Sequence, residues 1–331
     1  MLRTRFTFAI VAALAVGLAG CNSSVLDIES RGTQPIPAKL AGEMSRKSMT
    51  ASSPVLVRIF KQESELEVWK RDKSGRFALL KTWPLCRWSG KLGPKKRIGD
   101  RQAPEGFYQV AASQLNPQSQ YYLSFNLGFP NRLEKAQGFT GEALMVHGAC
   151  SSSGCYAMTD EGVAEVYSVV RDALKGGQGS FQVQAFPFRM TAKNMAEHRD
   201  DPNFAFWTDL KRGYDIFEAT KREPRVSFCE GRYMFDREVD TAASPADPMA
   251  ACTPAASMDE PAVAMRTTAE QQAMEKLMAS TPVTAHAYVD GGMHSSFRAL
   301  LKRGGEKALA KRTSLKSVPI SRPEAALADP H

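Results

Sequence analysis

Several things are missing from this chain of 331 residues, and each absence removes a class of protein. No apolar run reaches the roughly 20 residues that a membrane-spanning helix needs; the longest, residues 6–18, stops well short. No internal repeat is found, which excludes a solenoid or a propeller. The carboxylates show no paired arrangement of the kind a glycosidase uses. Only five histidines are present, and His198, His286, His294 and His331 stand in polar or tail sequence with no constellation around them. His147, Cys150 and Cys155 supply three ligands at close spacing, but no fourth is evident, so no metal and no cofactor is expected.

What is present centres on Met145-Val146-His147-Gly148-Ala149-Cys150-Ser151-Ser152-Ser153-Gly154-Cys155-Tyr156. An imidazole and a thiol stand eight residues apart in a Gly/Ser-rich loop, led by the apolar residues 143–146 and followed by a helical pattern from Asp160. A thiol works as a nucleophile when a neighbouring base or positive dipole takes its proton. A strand-to-helix loop also presents backbone N–H groups that can hold an oxyanion. The segment therefore reads as a cysteine acyl-transfer site. Thr159 and Asp160 read as the helix cap, a structural role that leaves Asp160 outside the chemistry.

At the N-terminus, Arg3 and Arg5 precede the apolar residues 6–18, a pattern of signal-peptide size. Leu18-Ala19-Gly20-Cys21 resembles a bacterial lipobox. That resemblance implies cleavage before Cys21 and lipid on its sulfur and new amine, which would tether the protein stably to a membrane. Asn22 after the lipidated position favours the outer membrane by the usual sorting pattern. The expected location is thus the periplasmic face of the cell envelope. Removing two basic leader residues takes the net charge from +8 to about +6. A mild positive excess suits an anionic envelope polymer or a lipid surface, or serves solubility alone; nucleic acid is not an expected partner. With Cys21 assigned to lipid, Cys86, Cys150, Cys155, Cys229 and Cys252 remain. An odd number in an oxidising compartment leaves one thiol unpaired, and Cys155 is assigned that place. Spacing does not decide how the others pair, and Cys150 could pair elsewhere or protect Cys155.

The organisation reads as a signal peptide over residues 1–20, a flexible stalk over 21–50, a catalytic domain over 51–237, and a Pro/Ala-rich linker with a largely disordered basic tail over 238–331. Within the domain, strands are expected at 55–60, 65–69, 77–83, 107–110, 121–125, 143–146 and 181–186, with a hairpin turn at Ser74-Gly75. Val163, Val166, Val170 and Leu174 recur at helical spacing, with Gly176-Gly177 as the stop. A second helix is expected over 204–219, with Trp207, Leu210, Tyr214 and Phe217 on its apolar face, and a short one over 267–278. The fold class is mostly β with a few helices.

Ordered blocks through residues 56–235 resemble the L,D-transpeptidase (YkuD-type) catalytic domain, within its YafK-like subgroup. They are Trp88-Ser89-Gly90-Lys91-Leu92-Gly93-Pro94-Lys95, Gly99-Asp100, Ala103-Pro104-Glu105-Gly106-Phe107-Tyr108, Leu123-Ser124-Phe125-Asn126-Leu127-Gly128-Phe129-Pro130-Asn131, residues 145–160, and Phe186-Pro187-Phe188-Arg189-Met190. The resemblance implies a β-sandwich-like domain with the nucleophile on a loop beside a groove. It implies peptidoglycan stem peptides as substrate and Cys155 as nucleophile. Most of the wider family carries a histidine inside the nucleophile motif and a second well upstream; here Ser152-Ser153-Gly154-Cys155 has none, so the proton donor and acceptor role falls on His147. Ser153 and Gly154 would flank the oxyanion, and Tyr156 and Arg189 would line the substrate groove, unless they pack in the core or form a structural ion pair. The expected activity is formation of 3-3 cross-links or attachment of an envelope protein to murein. Hydrolysis of stem-peptide or protein-to-murein links, and wall binding without catalysis, are the alternatives.

Overall fold

The computed structural model describes residues 30–235, 247–252, 260–284 and 291–313. The expected signal peptide, Cys21, His286 and His331 lie outside the described residues. Twelve strands are found among those described: β1 (Val55–Phe60), β2 (Glu65–Arg71), β3 (Phe77–Pro84), β4 (Arg87–Trp88), β5 (Gly106–Ala111), β6 (Leu115–Asn116), β7 (Ser124–Asn126), β8 (Met145–His147), β9 (Tyr156–Ala157), β10 (Ser180–Phe186), β11 (Val226–Cys229) and β12 (Arg232–Phe235). The same described residues hold seven α-helices: α1 (Ala38–Arg46), α2 (Arg132–Ala136), α3 (Asp160–Lys175), α4 (Ala192–Glu197), α5 (Phe204–Thr220), α6 (Pro261–Met278) and α7 (Ser295–Thr313).

The larger sheet has the order β3-β2-β1-β10-β5, with β1 and β10 parallel at its centre. All six residues of β1 are buried, as a central strand covered on both faces requires. Leu56, Arg58 and Phe60 turn toward α5, where Leu56 packs with Phe217 and the Arg58 guanidinium lies 4.5 Å over the Tyr214 ring. A second five-stranded sheet, of shorter strands, has the order β4-β9-β8-β7-β6 and holds the segment singled out above, and β11 and β12 form a two-stranded sheet. The architecture is sheet-rich, as expected. The hairpin at Ser74-Gly75 forms, with Asp72 Oδ1 accepting the Ser74 N–H at 2.8 Å.

Two strands are shorter than their sequences suggest. Residues 121–125 contribute only Ser124 and Phe125 to β7, because Tyr122 turns into the left-handed region at φ 72°. The carbonyls of Tyr121 and Leu123 then converge on the Gly148 N–H. Similarly β8 begins at Met145 because Ala143 stands at φ 57°.

Both flanks depart from the expectation of flexible chain. In the presumed stalk, α1 buries Leu40 and Met44, Met49 is buried behind it, and Arg171 donates to the carbonyls of Gly32 and Gln34. In the tail, α6 starts at Pro261, a residue suited to the first helical turn, and so begins six residues earlier than expected. Further on, Met293 and the Phe297, Leu301 and Leu309 side chains of α7, which breaks at Gly305, are buried against Cys86, Cys150 and Ala157. Composition pointed to disorder, yet a few apolar residues at helical spacing found a preformed surface.

Candidate active site

Parallel pairing of β8 with β9 brings the two reactive groups together. His147 pairs with Ala157, and Cys155 stands two residues before Ala157. Side chains two apart along an extended chain share a face, so His147 and Cys155 both face one cavity of about 320 Å³. Tyr156, between them in alternation, points the other way and is fully buried. Nothing in the spacing of two residues eight apart reveals this; the loop 148–155 must close a parallel crossover for it to happen.

The loop is pinned from several sides. Asp160 Oδ1 accepts the Ala149 N–H at 2.7 Å, holding Ala149 at φ 57°. Gly148 leaves no room for a side chain, since a Cβ there would lie 2.5 Å from Asp160 Oδ1. A disulfide joins Cys150 to Cys86, just before β4, and a second joins Cys229 to Cys252. Cys155 is the free cysteine among the described residues. Thr159 caps α3 by accepting the Gly162 N–H at 2.9 Å, and the helix begins directly behind the loop.

Electrostatics define the resting protonation states. His147 is buried, and its Nδ1 is 2.5 Å from the Gly148 carbonyl oxygen. A carbonyl can only accept, so Nδ1 carries the hydrogen and Nε2 is left as the acceptor. Burial lowers the imidazole pKa to about 4, which keeps the ring neutral near pH 7. The Tyr121 ring lies against it, with centroids 4.7 Å apart. At Cys155 burial pushes the thiol pKa up, opposed by the Met145 N–H, 3.4 Å from Sγ, and by the positive charge of Lys95. Lys95 itself is buried at the cavity wall, where its Nζ donates to the Arg97 carbonyl and to Asp100. The cavity therefore holds a protonated thiol and a neutral imidazole whose Nε2 is free to accept a proton.

Residues 54–183 match the sequence model of the YkuD L,D-transpeptidase catalytic domain. Over 191 residues the chain is 46% identical to "Putative L,D-transpeptidase YafK" of Escherichia coli (strain K12), covering 58% of this chain and 77% of that protein. The chain belongs to the L,D-transpeptidase family. The YafK protein of Escherichia coli O157:H7 matches over the same length with the same identity. Among solved structures, the helical cell shape determining protein Pgp2 of Campylobacter jejuni aligns at a TM-score of 0.33 and 19% identity, over 57% of this chain and 80% of that one. Bd1075 of Bdellovibrio bacteriovorus aligns at 0.30 and 15%, over 53% and 77%. Membership places the chain in a peptidoglycan-related transpeptidase class associated with the cell envelope. Among the described residues, no helix is long and apolar enough to cross a membrane.

Two residues expected at the groove of this L,D-transpeptidase domain do not line the cavity of His147 and Cys155. The Tyr156 hydroxyl donates to the Pro104 carbonyl at 2.5 Å inside the core. Arg189 pairs with Glu65 at 2.6 Å and Glu67 at 2.8 Å, and its guanidinium lies 4.3 Å over Phe60. Both side chains are engaged in contacts within the fold. Ser153 is exposed at the cavity wall. Gly154, at φ 132°, donates its N–H to Ser152 Oγ at 3.3 Å and is thus already engaged in this state. Sequence reasoning missed Tyr121 entirely and gave Lys95 no role beyond its motif. The only signal for Lys95 was a lysine five residues before Asp100, which becomes informative once the two are seen in contact.

Proposed function

We propose that this protein is a peptidoglycan L,D-transpeptidase acting through an acyl-enzyme on Cys155. The observation that carries the reading is that His147 and Cys155 face a single cavity, with the imidazole tautomer set by Gly148 so that Nε2 is the acceptor. Cys155 Sγ attacks the carbonyl that joins the third stem-peptide residue to the D-residue after it. As the S–C bond forms, the thiol proton passes to His147 Nε2. The C–N bond then breaks, and the proton returns to the leaving amine. Backbone N–H groups of Ser153 and Cys155 are the candidate oxyanion donors, joined by that of Gly154 once it leaves Ser152 Oγ. An incoming amine takes the acyl group to give a 3-3 cross-link or a murein-attached protein, and Cys155 is regenerated. Lipid on Cys21 and residence at the outer membrane complete this reading and rest on the sequence pattern.

The test is incubation of the full chain, beside Cys155→Ala and His147→Gln, with defined tetrapeptide muropeptides and cross-linked sacculi, read by mass spectrometry. A new bond between third-position diamino acids that requires both residues supports the transpeptidase. Cleavage of existing links without a new bond would make the enzyme a hydrolase at the same site. No product that depends on Cys155 would leave a wall-binding module.

A further inference from the structure

Tyr121 is an exposed aromatic residue resting on a buried imidazole. Its side chain is 42% exposed, whereas His147 is 2% exposed. The two ring centroids are 4.7 Å apart and the ring planes are inclined by 34°. Both residues line the cavity that also holds Cys155. The tyrosine ring is thus an outer layer between the imidazole and water.

A second contact runs through the backbone. The Tyr121 carbonyl accepts the Gly148 N–H at 3.0 Å, and the Leu123 carbonyl shares it at 3.2 Å. The Gly148 carbonyl in turn accepts the His147 Nδ1–H. Tyr121 therefore bears on the imidazole twice, at its face and at the residue that sets its tautomer. The turn carrying Tyr121 is itself held. Ser119 Oγ accepts the Tyr121 N–H at 3.1 Å, and the Arg31 guanidinium lies 4.9 Å over the ring of Tyr122. Because χ2 of a histidine is a broad torsion, the plane of its ring is fixed by what packs against it.

The titratable groups around His147 come from several elements. Lys95, Glu142 and Cys155 line the same cavity as His147 and Tyr121, and Asp160 approaches Gly148 from α3. Burial is nevertheless the leading cause of the low imidazole pKa. A ring that keeps water from one face of the imidazole contributes to that burial.

We propose that Tyr121 is a positioning residue for the acyl-transfer site, its ring fixing the plane of the His147 imidazole and shielding it from water. The consequence for turnover rests on the acyl-transfer reading above. The shielding does not.

The experiment compares full chains of the parent, Tyr121→Ala and Tyr121→Phe. His147 is titrated by NMR of its ring protons, assigned with His147→Gln, and muropeptide turnover is measured beside it. In Tyr121→Ala the imidazole should titrate roughly one unit or more above the parental value of about 4, because water reaches the ring. Its kcat should fall about 10-fold with KM unchanged. Tyr121→Phe keeps the ring and should restore both. Tyr121→Leu, which has no flat ring, serves if the alanine chain does not fold, with changes in the same direction expected. An unshifted His147 titration in the folded variant overturns the shielding. An equal loss in Tyr121→Phe assigns the effect to the hydroxyl and overturns the role of the ring. A rise in KM with kcat unchanged overturns positioning in favour of a substrate contact. Absence of turnover in the parent would count against the transpeptidase reading, while the titration, which needs no substrate, still decides the shielding.

Discussion

The Asp160 carboxylate accepts the Ala149 N–H at 2.7 Å, tying the first residue of α3 to the loop that separates His147 from Cys155. The contact fixes a residue in the left-handed region, where alanine is strained. Asp160→Ala should lose about 1–3 kcal/mol of stability, because it leaves a buried N–H without its acceptor. Turnover at Cys155 should fall about 10-fold as the loop loosens. Asp160→Asn keeps an acceptor and should recover most of both. Urea unfolding beside muropeptide turnover checks this; parental values for Asp160→Ala would remove the role.

His147 makes stability depend on pH. Its folded pKa, about 4, lies below the ordinary value of 6.5, so the unfolded chain takes up the proton first as pH falls. The contribution is fully present above pH 6.5 and is lost on descending toward pH 4. It amounts to on the order of 3 kcal/mol. In urea titrations between those limits, His147→Gln should show a shallower decline than the parent. Parallel curves would contradict the burial of a neutral imidazole.

The Cys86–Cys150 disulfide closes a loop of sequence separation 64 and ties down the segment that leads to Cys155. Chain-entropy arguments give about 4 kcal/mol for a loop of that length. Cys86→Ser/Cys150→Ser should lower the urea midpoint accordingly and reduce turnover, since Cys150 belongs to the Cys155 loop. A variant with parental stability would show that the link constrains nothing.

Tyr156 and Arg189 should behave as structural residues. Tyr156→Phe leaves the Pro104 carbonyl without its donor and should cost about 1–3 kcal/mol. Arg189→Met leaves the buried Glu67 carboxylate unpaired and should cost about 2 kcal/mol, discounted for the partial exposure of the arginine. In neither variant should KM for a muropeptide rise at a temperature where the protein is folded. A selective rise in KM would return the residue to the substrate groove.

Removing the C-terminal segment from residue 291 onward should expose Cys86, Cys150 and Ala157 and destabilise the domain. Four buried side chains leave with it, Met293, Phe297, Leu301 and Leu309. Each is worth about 1.5–3 kcal/mol when fully buried, so the thermal midpoint should fall by several degrees at least. An unchanged midpoint would mean that the segment only rests on the domain.

Much of this protein was legible as a string. Val55-Leu56-Val57-Arg58-Ile59-Phe60 and residues 181–186 are strands because apolar runs of that length, bounded by turn residues, can satisfy their backbone only in a sheet interior. The valines at 163, 166 and 170 set α3, and Thr159 sets where it starts. His147 and Cys155 stood out because chemistry of that kind needs those two residue types in a loop. The flanks misled for a physical reason. Alanine-, proline- and charge-rich sequence carries too little apolar surface to fold alone, so its order depends on a surface it cannot announce, as α1 and α7 show.

The sequence by itself determined the strands, the helices and the two reactive groups, because these depend on local periodicity and on side-chain chemistry. Tertiary structure decided which groups meet. The parallel register of β8 and β9 turned His147 and Cys155 toward one cavity and Tyr156 away from it. Burial, which belongs to no single residue, kept the imidazole neutral and the thiol protonated. Contacts between residues distant in sequence, Lys95 in the wall of the Cys155 cavity, Arg189 with Glu67, and Cys86 with Cys150, have no local signature because chain closure over such distances depends on the whole packed core.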